Sequence, residues 1–305
     1  MIGRIGNLVR RVMTRQDWFL GYRSAGDPTG EFRFVVPPRQ HFLADPFLFS
    51  CRGRKYLFAE DYVFSQRKGV ISVGELDDHG GLVTWQECLT RPYHLSYPCV
   101  FSWQGEVFMV PETRGNRSIE LYRAEDFPRS WRLEKTLFAD VEAVDATLFQ
   151  VNDRWWMFVA LADEHGNASA RLHLFHAESP LGPWYPHASN PVITGMEHAR
   201  PAGMVIEKDG MIIRPAQDCA IRYGHRVVFH RIDELSPDRY RETRIGSIEP
   251  EWLEGNLGTH TYQLAVGFEA VDARFRVPRG PFDFPVHFRQ KPWPFGTPWK
   301  EMAQR

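Results

Sequence analysis

One short motif recurs five times along the chain and restricts its fold more than any other feature. The copies read Asp45-Pro46-Phe47-Leu48-Phe49, Tyr97-Pro98-Cys99-Val100-Phe101, Asp145-Ala146-Thr147-Leu148-Phe149, Arg200-Pro201-Ala202-Gly203-Met204 and His260-Thr261-Tyr262-Gln263-Leu264. Each of the first four is followed by a turn and a second apolar run: Tyr56-Leu57-Phe58-Ala59, Val107-Phe108-Met109-Val110, Trp155-Trp156-Met157-Phe158 and Met211-Ile212-Ile213. Glu60, Glu112 and Ala160 lie 15 residues after the starts of the first three copies, so the register is kept. Between residues 40 and 275 the chain is a series of β-branched and aromatic runs broken by Gly, Asp and Asn, with little helical period.

A period of roughly 50 residues with four strands per unit is the mark of propeller blades, small sheets stacked around a central channel. The expected fold class is therefore all-β: a five-bladed β-propeller with a short N-terminal helix. The propeller is expected over residues 17–287, with a strand near 18–23 (Trp18-Phe19-Leu20-Gly21-Tyr22-Arg23) completing the last blade and removing the open edges of the array. Two separate β-domains are the alternative, but no linker interrupts the repeat.

Flanking this region, residues 1–16 carry Ile2, Ile5, Leu8, Val9, Val12 and Met13 at helical spacing, with Arg4, Arg10, Arg11 and Arg15 among them. That pattern suits a basic helix lying on a membrane surface, or equally an amphipathic helix packed on the protein. Residues 288–305 form an aromatic and basic tail with Phe288, Arg289, Lys291, Trp293, Phe295, Trp299 and Lys300, fit for a membrane interface or for a strap over a blade. A net charge of -1 gives no general attraction to nucleic acid. Cys51, Cys88, Cys99 and Cys219 form no Cys-x-x-Cys pair, which fits reduced thiols. With no run of about 18 apolar residues and no secretory signal, the expected location is cytoplasmic, peripheral at the inner membrane face.

In a propeller the innermost strands line the channel, so the motif starts converge: Asp45, Tyr97, Asp145, Arg200 and His260. Five polar side chains buried together are costly unless they bind one another or a ligand. The structural alternative is that Asp45 and Asp145 accept turn or inter-blade hydrogen bonds. Glu60 and Glu112 end equivalent second strands, and facing carboxyls of unequal pKa are the equipment of glycosidic chemistry. Arg200, Arg214 and Arg222 suit carboxylates or a phosphorylated sugar. Tyr97, Trp103, Trp155, Trp156 and Tyr223 are candidates to stack on sugar rings, with packing the better reading for Trp155 and Trp156. The motifs of zinc proteases, P-loop enzymes, EF-hands and α/β-hydrolases are absent from the sequence.

Ala44-Asp45-Pro46-Phe47, with Asp145 opening the third repeat, resembles the arabinanase, xylosidase and invertase superfamily of five-bladed propellers. A closer likeness runs through Phe58-Ala59-Glu60-Asp61, His94-Leu95-Ser96-Tyr97-Pro98, Pro111-Glu112-Thr113, Ala199-Arg200-Pro201-Ala202-Gly203, Arg214-Pro215-Ala216-Gln217-Asp218-Cys219 and Gly258-Thr259-His260-Thr261. This set is similar to the propeller domain of plant glucosamine inositolphosphorylceramide transferases and of bacterial proteins linked to surface-polysaccharide synthesis.

The superfamily resemblance implies Asp45 as base or nucleophile and Asp145 as the residue that tunes a pKa. Where that superfamily opens the fourth blade with its general-acid Glu, this chain has Arg200, with Glu197 three residues earlier; Glu112 or Glu60 is then the candidate acid. The expected catalytic set is Asp45, Asp145 and Glu112. The expected substrate-binding set is Glu60, His94, Tyr97, Arg200, Arg214, Gln217, Asp218, Tyr223 and His260. No cofactor is required; the resemblance leaves room for a calcium ion near His260. The expected function is an enzyme of cell-surface glycan assembly that transfers or cleaves a glycosyl unit, furanosyl by the resemblance. Its partners would be an activated sugar donor, a glycan or lipid-linked glycan acceptor and the membrane surface. The alternatives are a non-catalytic glycan-binding propeller and an intracellular glycoside hydrolase.

Overall fold

The computed structural model of the chain describes residues 14–26, 30–77, 79–278 and 289–291. The chain enters through β1 (Thr14–Ser24) and β2 (Arg33–Val35), then builds its first complete sheet from β3 (His41–Cys51), β4 (Arg54–Val63), β5 (Lys68–Leu76) and β6 (Gln86–Leu89). The second sheet is β7 (Ser96–Trp103), β8 (Glu106–Thr113), β9 (Ser118–Asp126) and β10 (Ser130–Ala139). The third is β11 (Ala143–Val151), β12 (Arg154–Leu161) and β13 (Arg171–Ala177), edged by β14 (Tyr185–Pro186) and β15 (Ile193–Thr194). In the fourth, a broken inner strand, β16 (Arg200–Pro201) and β17 (Ile206–Lys208), precedes β18 (Met211–Asp218), β19 (Arg226–Leu235) and β20 (Tyr240–Ile248). The last sheet begins with β21 (Tyr262–Ala265) and β22 (Phe268–Pro278) and is completed by β1 and β2. These are the five blades of a β-propeller, all antiparallel.

β1 pairs with β22 over its whole length, from Thr14 opposite Pro278 to Ser24 opposite Phe268. Beside this seam a buried ion pair joins Arg23 to Glu269, Nη2 to Oε2 at 2.6 Å, and Tyr262 donates its hydroxyl to the other Glu269 oxygen at 2.8 Å. The apolar cores lie between neighbouring sheets: Leu20 and Ala270 with Leu43 and Leu57, Phe149 and Phe158 with Ile232, Phe229 with Tyr262 and Val271. Trp155 and Trp156 are both buried there. Among the described residues the only helical turns are the 3-10 turns Arg114–Asn116 and Pro250–Trp252. Of the expected N-terminal helix, residues 14–16 belong to β1 because their backbone pairs with β22, and residues 1–13 lie outside the described residues. Of the 288–305 tail only 289–291 are described, and there Gln290 bridges to Leu253 and bonds both backbone groups of Phe32.

The motif that marks each blade has a backbone counterpart. In the inner strands of the first three blades the ladder slips between Ala44 and Phe47, Ser96 and Cys99, and Val144 and Thr147. At each slip one residue takes a left-handed conformation: Asp45 at φ 50°, Tyr97 at 45° and Asp145 at 56°. A bulge of this kind bends the strand and re-aims one side chain. It also costs conformational energy, so packing around it must over-determine it. For Tyr97 the packing is explicit. Its hydroxyl accepts from Gly203 N at 2.8 Å, and it reaches Gly203 O at 3.1 Å and Thr147 Oγ1 at 2.8 Å, tying the second blade to the third and fourth. Tyr97→Phe leaves the buried Gly203 N–H without this acceptor, and the expected loss is about 2 kcal/mol of unfolding free energy, measured by urea denaturation.

Candidate functional site

The first three inner-strand bulges and the start of the last blade bring a dense set of ionisable groups into the channel. Asp45 is its centre. One carboxylate oxygen accepts from Thr261 Oγ1 at 2.7 Å and lies 3.7 Å from His260 Nε2; the other accepts from Tyr97 N at 3.2 Å. His260 is oriented by Asp272, whose Oδ2 takes Nδ1–H at 2.5 Å while Oδ1 takes the backbone N–H groups of His260 and Thr261. Trp18, from the closing strand, stacks flat on the His260 ring with centroids 3.8 Å apart.

Across the channel Arg200 binds Asp145, Nε to Oδ2 at 2.6 Å, and reaches Glu112 Oε2 at 3.7 Å. Gln217, opposite Arg200 in the β16–β18 ladder, donates to the same Asp145 oxygen at 3.1 Å. Tyr223 lies over this group, its ring 5.0 Å from the Arg200 guanidinium carbon and edge-on to His260 at 5.4 Å. Glu60, in the second half of β4, meets His94 Nε2 at 3.5 Å, while His94 Nδ1 accepts from Gly69 N at 2.8 Å. The glycine at 69 makes this possible: a Cβ there would stand 2.3 Å from Leu95 O and 3.0 Å from Glu60 Oε1.

Burial dominates the acidity of these groups. It pushes Asp45 up to about 6, with the Asp145 and Asp272 carboxylates adding and His260 opposing. Glu60 is held well above the usual carboxylate range by burial and then by Asp45 and Glu112. Glu112 is also raised well above it, by burial and by Asp145 beside it, against the opposing pull of Arg200. Glu112 Oε2 is buried and has no hydrogen-bond partner. Burial alone would depress His260, but Asp272 and Asp45 outweigh it and the imidazole is raised. The channel therefore holds three carboxyls that burial makes weaker acids than usual: Asp45, at about 6, and Glu60 and Glu112, both well above the usual carboxylate range.

The structure thus gathers Asp45, Glu60, His94, Glu112, Asp145, Arg200, Gln217, Tyr223 and His260 at one place. Three expected ligand-binding side chains are elsewhere. Tyr97 gives the site its backbone N–H, but its fully buried ring points to Gly203. Arg214 faces the third blade, 5.7 Å over the Phe158 ring, with both Glu242 oxygens bound at 2.6 and 2.8 Å. Asp218 is held by Arg226 at 2.7 Å. Conversely, Trp18, Thr261 and Asp272 are site residues that the motif reading passes over. The available signal is the apolar run Phe268 to Phe275, interrupted by Glu269, Asp272 and Arg274, charged residues that are themselves buried.

Asp45, His260 and Asp272 bring donor atoms within 4.8 Å of one another, a spacing that a cation would accept. They do not fit calcium, which takes six to eight oxygens. Asp272 already receives N–H groups from Asp45, His260 and Thr261 as well as the imidazole. A second such trio, His198, His230 and Glu242, has its carboxylate occupied by Arg214.

The raised carboxyls have a signed effect on stability. Their protonated forms are favoured in the native state, so their contribution is full at low pH and is lost as pH rises through the folded values. For Asp45 that loss runs between about pH 4 and 6. Asp45→Asn is expected to flatten the decline in unfolding free energy over this window relative to the wild type, measured by urea denaturation at half-unit steps.

Comparison with known proteins agrees with this architecture. Residues 36–256 match the family described as "Glucosamine inositolphosphorylceramide transferase 1, N-terminal". The chain is 36% identical over 211 residues to glucosamine inositolphosphorylceramide transferase 1 of Oryza sativa subsp. japonica, covering 67% of this chain and 28% of that protein. It is 35% identical over 214 residues to the protein of the same name from Arabidopsis thaliana, covering 67% and 27%. The chain thus spans little more than a quarter of the length of these relatives. A solved GH43 beta-xylosidase/alpha-arabinofuranosidase from a compost microbial metagenome shares the fold, with a TM-score of 0.57 and 12% identity over 84% of this chain and 94% of that one. With the family match running from the edge of β2 to the threshold of the last blade, the chain belongs to the glucosamine inositolphosphorylceramide transferase 1 N-terminal family.

Proposed function

We propose that this propeller is a carbohydrate-active enzyme that transfers a glycosyl unit, with its chemistry in the channel between Asp45 and Glu112. The observation that carries the reading is a pair of carboxyls in one buried channel with different surroundings: Asp45, bonded to Thr261 Oγ1 and Tyr97 N and raised to about 6, and Glu112, beside Arg200 and Asp145 and held well above the usual range. Asp45, as carboxylate, takes the proton of an acceptor hydroxyl or attacks the anomeric carbon. Glu112, as carboxylic acid, gives its proton to the departing oxygen from Oε2, which makes no hydrogen bond within the protein and lies 3.7 Å from Arg200. Asp145 fixes Arg200, whose guanidinium faces the developing negative charge on the leaving group. His94 and Glu60 bind sugar hydroxyls at one side, and Tyr223 offers its half-exposed face to a sugar ring.

Support also comes from the family, whose members in rice and Arabidopsis carry transferase names, although those names belong to proteins several times longer. On this reading the donor is an activated sugar, furanosyl in our assignment, and the acceptor a glycan or lipid-linked glycan at the cytoplasmic face of a membrane. The basic stretch with Arg4, Arg10 and Arg11 supports the membrane location.

The test is saturation-transfer NMR against phosphate-activated sugars and short furanose and pyranose oligosaccharides, wild type beside Asp45→Asn, followed over hours. Turnover in the wild type and a fall of about 10²–10⁴ in the variant with binding kept is the expected result. Binding of an oligosaccharide in both, with turnover in neither, would make the domain a recognition module. The rate is further expected to fall about tenfold per pH unit below pH 6, where Asp45 takes up its proton, and to hold level above it.

A further inference from the structure

Of the three cations that the sequence reading assigns to carboxylates or a phosphorylated sugar, two are already neutralised: Arg200 is bound to Asp145 and Arg214 to Glu242. Arg226 is likewise bound to Asp218 and Glu249. Two arginines at the same mouth, Arg222 of that set and Arg274, are not. Arg274 projects from β22 opposite Trp18, and its guanidinium carbon lies 5.0 Å from the indole ring. The residue is 9% exposed, its Nε is buried without a hydrogen-bond partner, and no carboxylate among the described residues lies within ion-pair distance of it. Arg222, on the exposed hairpin between β18 and β19, donates Nε to Leu257 O at 2.8 Å and has no carboxylate partner among the described residues either. Leu257 N in turn bonds Arg274 O at 2.7 Å, so one short stretch of backbone carries both arginines.

The hairpin is pressed onto this stretch. A Cβ at residue 258 would stand 2.1 Å from Gly224 O and 3.5 Å from Arg274 Nη2, so Gly258 is what lets the two arginine-bearing segments close together. The groups facing Arg274 are Arg222, Tyr223, Asp272 and Cys219. Of these Asp272 is engaged by His260 and by three backbone N–H groups. A nine-tenths buried guanidinium beside a second cation, with no counter-charge, is costly unless a ligand supplies one.

We propose that Arg222 and Arg274 form an anion subsite at the channel rim that takes a phosphate group of the substrate. The guanidinium fork matches phosphate oxygens, and Trp18 and Tyr223 wall the subsite with apolar faces. Its position is one aromatic layer from the chemistry: Arg274 lies over Trp18, Trp18 stacks on His260, and His260 Nε2 faces Asp45. The proposal rests on the sugar-channel reading for which part of the substrate carries the phosphate, and not for the binding itself.

The test is isothermal titration of the whole chain at low ionic strength with inorganic phosphate, a hexose 1-phosphate, a glycerophosphodiester and a neutral methyl glycoside. Wild type is compared with Arg222→Gln, Arg274→Gln and, as a paired arginine at the same hairpin, Arg226→Gln. Phosphate uptake by the wild type, weakened about tenfold or more in Arg222→Gln and Arg274→Gln but not in Arg226→Gln, is expected. Arg222 is exposed, so its variant reports binding even if Arg274→Gln folds poorly. Preference for the monoester assigns the phosphate to an activated sugar, and preference for the diester assigns it to a lipid headgroup; either supports the subsite. No phosphate uptake by the wild type, or equal uptake in Arg222→Gln, overturns it. The methyl glycoside reports the channel separately: if it fails to bind while phosphate binding follows the arginines, the sugar reading falls and the anion subsite stands.

Discussion

Everything at the centre of this propeller depends on how several carboxyl groups are kept together out of water. Asp45, Glu60 and Glu112 are all raised, in part by the Asp145 carboxylate, and for each the loss of water around the charge outweighs every neighbour. Two side chains make the arrangement tenable, Arg200 on Asp145 and His260 between Asp45 and Asp272. Burial and the neighbouring carboxylates favour the protonated forms of Glu60 and Glu112. A solvent-exposed cluster would leave Asp45, Glu60 and Glu112 near ordinary acidity; a closed channel raises all three.

The backbone that enforces this closeness is itself out of the ordinary. The inner strands would carry their side chains alternately to the two faces of each sheet, and none of them would point along the channel axis. The bulges at Asp45, Tyr97 and Asp145 break that alternation with left-handed residues. Two of the three residues so placed are site acids. The third, Tyr97, holds the bulged strands in place through Gly203 and Thr147. The convergence of the channel acids and the bracing between blades are therefore solved by the same local device.

The blade count, the strand order within blades and the convergence of Asp45, Asp145, Arg200 and His260 were legible because a repeat converts sequence spacing into spatial proximity. Glu60 and Glu112 were legible for the same reason, being held at one register. The reading failed where position along a strand does not say which face a side chain takes. Arg214 and Gln217 lie on the same strand three residues apart, and so on opposite faces; one packs between blades and the other reaches Asp145. Tyr97 occupies a motif start, yet its bulge turns the phenol inward to Gly203. Trp18, Asp272 and Arg274 were missed because they lie outside the five-residue motif, on β1 and β22, whose pairing joins distant parts of the chain.

That seam has a consequence for how the molecule is made. Arg23 and Glu269 are 246 residues apart, so β1, although it can pair early with β2, waits until β22 has been made before its other edge is covered. At about 5–20 residues per second this interval is on the order of 10–50 s. Throughout it the apolar strand Trp18-Phe19-Leu20-Gly21-Tyr22 has an unpaired edge on its β22 side, the state in which strands join the wrong neighbour. The stack of Trp18 on His260 forms only when that wait ends, so a chain can hold four finished blades and still lack the assembled channel. Synthesis itself delays the channel's assembly until the ring is whole.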